Sequence, residues 1–464
     1  MGQFSYSESP IRDTEVQENV LKYYLVSLGC PKNLVESEEM LAKLALSGMV
    51  LVHDPDEADL LVVNTCGFLN SSKEESINTI LELAEFKERN PWQKLVVVGC
   101  LVERYRKNLK DEIPEVDAFI GVQDKETFLN VAWQAFGRRP RNNHALAYPY
   151  VPRLLTTPPH MAYLRVSDGC FHKCSFCAIP LMRGTLVSRP IETIEQEARA
   201  LAAGGVKELV VVSQDTTSYG YDLYGNFALT DLLHRLEKID GLEWIRLMYA
   251  YPHLVTKRLA DFLSRSEKVI PYLDMPIQHG DPEILRRMNR SSNDRHIRLA
   301  VDRLRAARPE ITLRTTVIAG FPGEKQHHFD NLVRLLDELA FDRVGVFKFS
   351  REDGTPSADF PGQVSERIKE KRYRFLVDWA AEKALEKNRK FIGEIITVLI
   401  DRPDPDGDGY WGRYVGQAPE IDGQVHVRGD RLHSGCFVPV RIAEADEENL
   451  QGFAHVEVIA GNRP

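Results

Sequence analysis

Residues 161–177 read MAYLRVSDGCFHKCSFC, an apolar run of strand type that breaks at Gly169 into three cysteines spaced CxxxCxxC. A strand that passes directly into a loop puts Cys170, Cys174 and Cys177 at its carboxyl end, the edge at which α/β folds carry their sites. Three thiolates fall one short of closing a tetrahedral zinc or a four-iron cluster, so a cluster held this way keeps one iron open to a cofactor. On spacing alone a zinc site, completed by His172 or by a distant residue, competes with that reading.

Downstream the strand signal recurs in ELVVVSQD (208–215), WIRLMYAY (244–251), YLDMPIQHG (272–280), LRTTVIAGFPGE (313–324) and DRVGVFKFS (342–350), with helix-length segments between. Six strand-helix units predict a partial (β/α)6 TIM-like barrel over 156–393, closed by a helix from Ser365 to about Lys390.

Upstream, YYLVSLGC, DLLVVNTC and KLVVVGC end at Cys30, Cys66 and Cys100. An amphipathic stretch, ESEEMLAKLALSG, separates the first two, with a glycine where a helix should stop. The stretch SSKEESINTILELAEFKE, opened by serines that can cap it, separates the second and third. The fold class is therefore α/β, with an open parallel sheet over 21–138. Right-handed crossovers align strand ends of one sense, so three thiols from three strands can converge on one point. Any one of the three, taken alone, reads equally well as a core cysteine.

Residues 138–159 are proline-rich and without period, which places an interdomain linker at 139–155, and the polar residues 1–20 are expected to be mobile. From FIGEIITVLID onward the helical pattern gives way to short β runs between Asp, Gly and Pro turns, predicting a small β-barrel over 394–462.

With 43% hydrophobic and 27% charged residues the composition is that of a folded globular chain. The polar start and the lack of a long apolar run predict a cytoplasmic protein with no membrane partner. Seven cysteines, an odd number, argue for metal binding over a disulfide framework in a reducing compartment. A net charge of −9 gives no global case for nucleic acid. Residues 395–464 hold twelve Asp and Glu against six Arg and no Lys, a net −6 in one short module that prefers a basic partner.

CxxxCxxC after a first barrel strand, with Phe176 before the third cysteine, resembles the signature of the radical S-adenosylmethionine superfamily. GGVKELVVVSQD (204–215) and TTVIAGFPGE (315–324) resemble its two later glycine segments, beside the methionine and the adenosine of the cofactor. From these the resemblance implies cofactor contacts at Gln214, Asp215, Ile318 and Gly320; the first segment reads GGV where the superfamily usually has GGE, so no amino-group contact is assigned there. LGCPKN, NTCGF, VVGC and the terminal GRYVGQAPEIDG resemble, over nearly the whole chain, the methylthiotransferase family, whose order is a cluster domain, a radical domain and a TRAM domain. Transfer RNA modifiers of that family typically read GCQMN and NTCSIRE; GCPKN, NTCGF and DTTSYG (215–220) instead resemble the RimO branch, which acts on an aspartate of ribosomal protein S-twelve.

The resemblance implies two 4Fe-4S clusters, one on Cys170, Cys174 and Cys177 and one on Cys30, Cys66 and Cys100, with S-adenosylmethionine at the first. It implies no catalytic residue beyond these ligands. A radical cleaved from the cofactor would take hydrogen from the β-carbon of the aspartate, the second cluster would give sulfur, and a second cofactor molecule the methyl group. The implied partners are ribosomal protein S-twelve, free or in the small subunit, an electron donor and a sulfur source, with nucleic acid not a direct substrate. A transfer RNA methylthiotransferase and a non-catalytic zinc-binding adaptor are the competing functions. Cys436 is expected in the core of the β module, His327 and His328 as a solvated pair at a helix start, and 369–375 as the polar face of a helix.

Overall fold

The computed structural model of the chain describes residues 20–140 and 152–455. The expected mobile start, most of the linker and the last β run at 456–459 lie outside those residues.

The first domain is a five-stranded parallel sheet built from β1 (Lys22–Ser27), β2 (Val50–Leu51), β3 (Leu60–Thr65), β4 (Lys94–Gly99) and β5 (Ala118–Gly121), in the order β2-β1-β3-β4-β5. Strands β3 and β4 are runs of Leu and Val buried on both faces, as a sheet covered by helices on each side requires. The crossover helices are α1 (Pro31–Leu46), α2 (Asn70–Arg89) and α3 (Cys100–Glu112), with α4 (Phe128–Gln134) after the last strand. The helix α1 stops where the sequence suggested, at Ser47 and Gly48. The serines do not cap α2: Leu69 is the N-cap, and the Asn70 N–H is taken by Glu352 of the second domain, 3.1 Å away.

The second domain runs through β6 (Met161–Arg165), the ribbon strands β7 (Ser167–Asp168) and β8 (Val187–Ser188), then β9 (Glu208–Val212), β10 (Trp244–Leu247), β11 (Val269–Asp274), β12 (Thr312–Ala319) and β13 (Arg343–Lys348). Six of these form one parallel sheet in the order β13-β12-β11-β10-β9-β6, the partial barrel that the strand-helix units predict. Its helices are α5 (Ile179–Arg183), α6 (Ile191–Ala203), α7 (Tyr221–Tyr224), α8 (Leu229–Leu236), α9 (Lys257–Leu263), α10 (Pro282–Arg287), α11 (Asp294–Ala307), α12 (Gln326–Leu339) and α13 (Glu366–Asn388). The third domain is a closed barrel of β14 (Ile395–Pro403), β15 (Tyr410–Arg413), β16 (Val425–Arg428), β17 (Phe437–Ala445) and β18 (Leu450–Ala454). Half-buried Cys436 packs against its core.

The three domains meet inside the partial barrel. Val35 of α1, and Leu399 and Ala418 of the third domain, join Met161, Tyr163, Val210 and Trp244 in one apolar cluster. The third domain docks at the amino ends of the strands: Glu208, first in β9, binds Arg246 at 2.9 Å and Arg413 at 2.7 Å, and Arg413 continues to Asp401, which meets His160 at 2.9 Å. The first domain covers the carboxyl ends. Arg165, last in β6, bonds Glu36 and Glu39 at 2.8 Å, Arg153 bonds Glu38 and Glu197, and Glu352 receives Lys73 and Arg104. The polar stripe of α1 thus faces the barrel and not water, which is why Glu36, Glu38 and Lys32 are buried.

Two expectations about surface charge hold only in part: Lys371, Arg374 and His327 are exposed, but their neighbours are not. Lys369 and Arg372 are buried, Arg372 bonding Glu324 at 2.7 Å, so α13 does not present them to solvent. His328 is also buried, its ring accepting the Lys325 N–H at 3.1 Å and facing Glu283.

Candidate functional site

The loop after β7 is pressed against the segment before β8. Gly169 has φ +67°, and a Cβ there would lie 1.9 Å from the Thr185 carbonyl oxygen, so only glycine fits before Cys170. The Cys170 N–H donates to the Gly184 carbonyl at 3.2 Å and the Cys177 N–H to the Cys174 carbonyl at 3.1 Å. Burial pushes the Cys170 and Cys177 thiols up to about 12, and the neighbouring Cys174 adds to both. Thiols so placed ionise when a bound cation offsets the desolvation, which suits iron ligation. Within the loop, His172 lies 2.7 Å from Asp215 and stacks on Tyr251 at 3.9 Å; behind it, Arg290 lies 4.0 Å from the Tyr251 ring and 3.8 Å from the Cys174 sulfur.

The other three thiols come from three strand ends. Cys30 is the N-cap of α1, Cys66 directly follows β3, and Cys100 opens α3 directly after β4. Gly29, at φ +90°, lies so close to Cys66 that a Cβ would be 2.7 Å from the Cys66 Cβ. Asn33 ties the ends together: its Nδ2 donates to the Leu28 and Thr65 carbonyls at 3.1 and 3.0 Å, and the Cys100 thiol lies 3.7 Å from its Oδ1. Asn64 in turn donates to the Asn33 carbonyl at 3.0 Å. Burial pushes Cys100 up to about 12 and raises Cys66, and Cys30 adds to both. For Cys30 burial is outweighed by the charges of Lys32 and Arg183 and by the Asn33 and Lys32 N–H groups, which hold it below the ordinary thiol range.

One short segment joins the two sites. The helix α5 starts two residues after Cys177, and its Ala178 and Met182 pack with Cys100 and Val122. Its last residue, Arg183, crosses to the first domain, donating to Asn33 Oδ1 at 2.5 Å and to both oxygens of Glu36, and returning to Asp168 at 3.1 Å. No signal in the sequence marked Arg183, His172, Tyr251 or Arg290 for these roles. Asn33 and Lys32 stood in GCPKN, and what they do there depends on the fold.

The four expected cofactor contacts are differently placed. Gln214 has both amide atoms buried without a partner, an unsatisfied pair that fits a polar ligand at the barrel mouth. Asp215 is engaged by His172, by the Thr217 N–H and hydroxyl and by Ser218. Ile318 lies in an apolar cluster with Phe176, Phe321 and Phe349. Gly320, at φ +80°, donates its N–H to Glu324 at 2.9 Å, and the Lys369 stem fills the space its Cβ would take.

Family models match all three domains: the Uncharacterized protein family UPF0004 at residues 22–121, the Radical SAM superfamily at 164–336 and the TRAM domain at 392–454. Solved structures agree on the fold. The radical S-adenosylmethionine methyltransferase TsrM from Kitasatospora setae, with cobalamin and a [4Fe-4S] cluster bound, aligns with TM-score 0.56 at 12% identity over 81% of this chain and 76% of its own. The cobalamin-dependent radical enzyme OxsB aligns with TM-score 0.53 at 11% identity, over 84% and 63%. Fold and family models together define a radical S-adenosylmethionine enzyme, a class that uses that cofactor and a 4Fe-4S cluster.

Among curated relatives, the ribosomal protein uS12 methylthiotransferase RimO of Desulforamulus reducens is 43% identical over 435 residues, covering 92% of this chain and 98% of its own. The proteins of the same name from Anaeromyxobacter sp. and Pelotomaculum thermopropionicum are each 44% identical, over 93% of this chain and 92% and 99% of their own lengths. The chain belongs to the RimO family of methylthiotransferases. It is a transferase that methylthiolates by radical chemistry, which removes the non-catalytic zinc adaptor from the competing functions. No helix among the described residues is long and apolar enough to cross a membrane.

Proposed function

We propose that this enzyme methylthiolates the β-carbon of an aspartate in ribosomal protein uS12, using two 4Fe-4S clusters. Cys170, Cys174 and Cys177 hold the cluster that binds S-adenosylmethionine, with Gln214 toward the cofactor; Cys30, Cys66 and Cys100 hold the other. The observation that carries this reading is the pairing of two thiol triads, one at the barrel mouth and one at the carboxyl edge of the sheet covering it, joined by α5 and the Arg183–Asn33 bond. Three thiolates that bind three different irons need not close on one ion, and among the described residues no three His, Cys, Asp or Glu side chains are arranged around a single metal.

When bound, the clusters and S-adenosylmethionine supply the one-electron chemistry and the sulfur that side chains cannot. The chain supplies position and dryness. Arg183 and Lys32 bring positive charge to the thiol triad of the first domain, Asn33 fixes the strand ends that carry it, and the ion pairs around Glu36 and Glu352 seal the two domains at the mouth. The relatives' substrate, a ribosomal protein, suits a chain whose last module carries a net −6: phosphate contacts favour a basic surface, and an RNA-bound protein is itself basic.

The test is mass spectrometry of recombinant uS12 after anaerobic incubation with the reconstituted enzyme, S-adenosylmethionine, a reductant and sulfide. The expected product carries one methylthio group in place of a hydrogen on one aspartate. Unmodified uS12 beside a methylthiolated transfer RNA would overturn the substrate.

A further inference from the structure

The two cations that face the thiols of the first domain are not alike. Arg183 is fully paired with anions and acceptors at its two terminal nitrogens, with Asn33, both oxygens of Glu36 and Asp168 around them. Each of the other buried cations of the interface likewise has a carboxylate: Arg153 has Glu38 and Glu197, Arg165 has Glu36, Glu39 and Asp168, and Arg104 has Glu352. Lys32 is as buried as these, at 8% exposure, yet among the described residues no carboxylate pairs with it. Its ammonium lies 3.8 Å from the centre of the Tyr249 ring, and Cys30 is two residues away.

A buried ammonium has three donors and is costly to leave without an anion. The Tyr249 side chain takes one hydrogen bond from it and the ring face attracts the charge, which leaves the remaining donors of the ammonium for a ligand. The wall opposite Lys32 is itself specialised. Tyr249, just past the end of β10, sits at φ +62°, a region that disfavours a bulky side chain, and is held there by the Thr216 N–H on its carbonyl at 3.0 Å and by Ala250 bonding Asp274. Backbone strain of this kind persists where surrounding structure imposes it and concentrates at functional sites.

We infer that Lys32 receives the carboxylate of the substrate side chain and so selects an acidic residue as the sulfur acceptor. The inference rests on the substrate reading above. In an aspartate the β-carbon is bonded directly to the carboxyl carbon. A carboxylate pinned at Lys32, beside Cys30 and at the barrel mouth, therefore presents its neighbouring carbon between the two thiol triads. Lys32 acts as a binding residue, while Arg183, already paired with Asn33, Glu36 and Asp168, positions the site.

The experiment compares the parent enzyme with Lys32→Met and Lys32→Arg, each reconstituted without oxygen. Three readouts are taken: iron content, affinity for fluorescently labelled uS12 by anisotropy without reductant, and KM and kcat for methylthiolation. The Lys32→Met enzyme is expected to load iron as the parent does, to raise the dissociation constant and KM for uS12 by about tenfold, and to lose discrimination against uS12 whose target aspartate is replaced by asparagine. Lys32→Arg should restore most of the affinity. Parent-like affinity and KM in Lys32→Met overturn the inference, as does loss of iron from that variant, which would assign Lys32 to the thiol site alone. If the parent leaves uS12 unmodified, the substrate reading falls and takes this inference with it; if the parent modifies uS12 and Lys32→Met matches it, only the inference falls.

Discussion

The two thiol triads are built in opposite ways. In the barrel, Cys170, Cys174 and Cys177 share one loop of eight residues, whose shape is set locally by Gly169 and two backbone hydrogen bonds. In the first domain, Cys30, Cys66 and Cys100 stand 36 and 34 residues apart in sequence and meet because three parallel strands end at one edge. A local site depends on its own loop. An assembled one depends on every bond that keeps the strand ends in register, and here also on an arginine lent by the other domain.

The largest effect that could break this comparison is loss of iron. Replacing Cys170, Cys174 and Cys177 together by alanine should lower the iron of anaerobically reconstituted protein from about eight per chain to about four and abolish product. The same replacement of Cys30, Cys66 and Cys100 should leave the other four. Iron and sulfide assays check both; a parent that holds only four irons would remove the second cluster from the scheme.

Asn33→Ala sharpens the contrast. It strips the Leu28 and Thr65 carbonyls of their donor and leaves Arg183 without one acceptor, each orphaned buried group costing about 1–3 kcal/mol. The expected outcome is selective loss of iron from the first domain, read in the variant that lacks the barrel cysteines, with the barrel cluster retained in the complementary variant. Equal loss from both would mean the assembled site is no more fragile than the local one.

The smallest effect concerns the far end of the barrel. Burial alone would raise Asp401, but the hydrogen bond from His160 and the charge of Arg413 outweigh it and hold the carboxyl below its ordinary range. A depressed carboxylate contributes stability that is present above its unfolded value, near ~3.9, and is lost as pH falls through the folded one. Acid unfolding followed by circular dichroism should therefore show a shallower loss below about pH 4 in Asp401→Asn than in the parent, while the iron content at neutral pH stays the same. A parallel decline in both would detach this contact from the acid stability of the domain junction.

Legibility in the sequence followed the same division. The spacing CxxxCxxC after MAYLRVSDGC marked the barrel site because all its determinants lie within a few residues. Strand ends at Cys30, Cys66 and Cys100 suggested a second site, but their meeting needed the order β2-β1-β3-β4-β5, which periodicity does not supply. Charged stretches misled most. Lys369 and Arg372 read as the polar face of a helix, yet both are buried, Arg372 against Glu324 from another part of the chain. Helical periodicity tells which face is polar and not what covers it.

By itself the sequence determined the α/β class, the three-part order and the placing of cysteines at strand ends, because strand alternation, turn residues and cysteine spacing are short-range properties of the chain. The tertiary structure alone decided that α5 and Arg183 bridge the two thiol sites, that the Gln214 amide is buried without a partner while Asp215 is spoken for, and that Lys32 is buried with no carboxylate beside it. Those properties arise from electrostatics and packing between segments more than a hundred residues apart, where burial turns an ordinary charge into one that must find a partner.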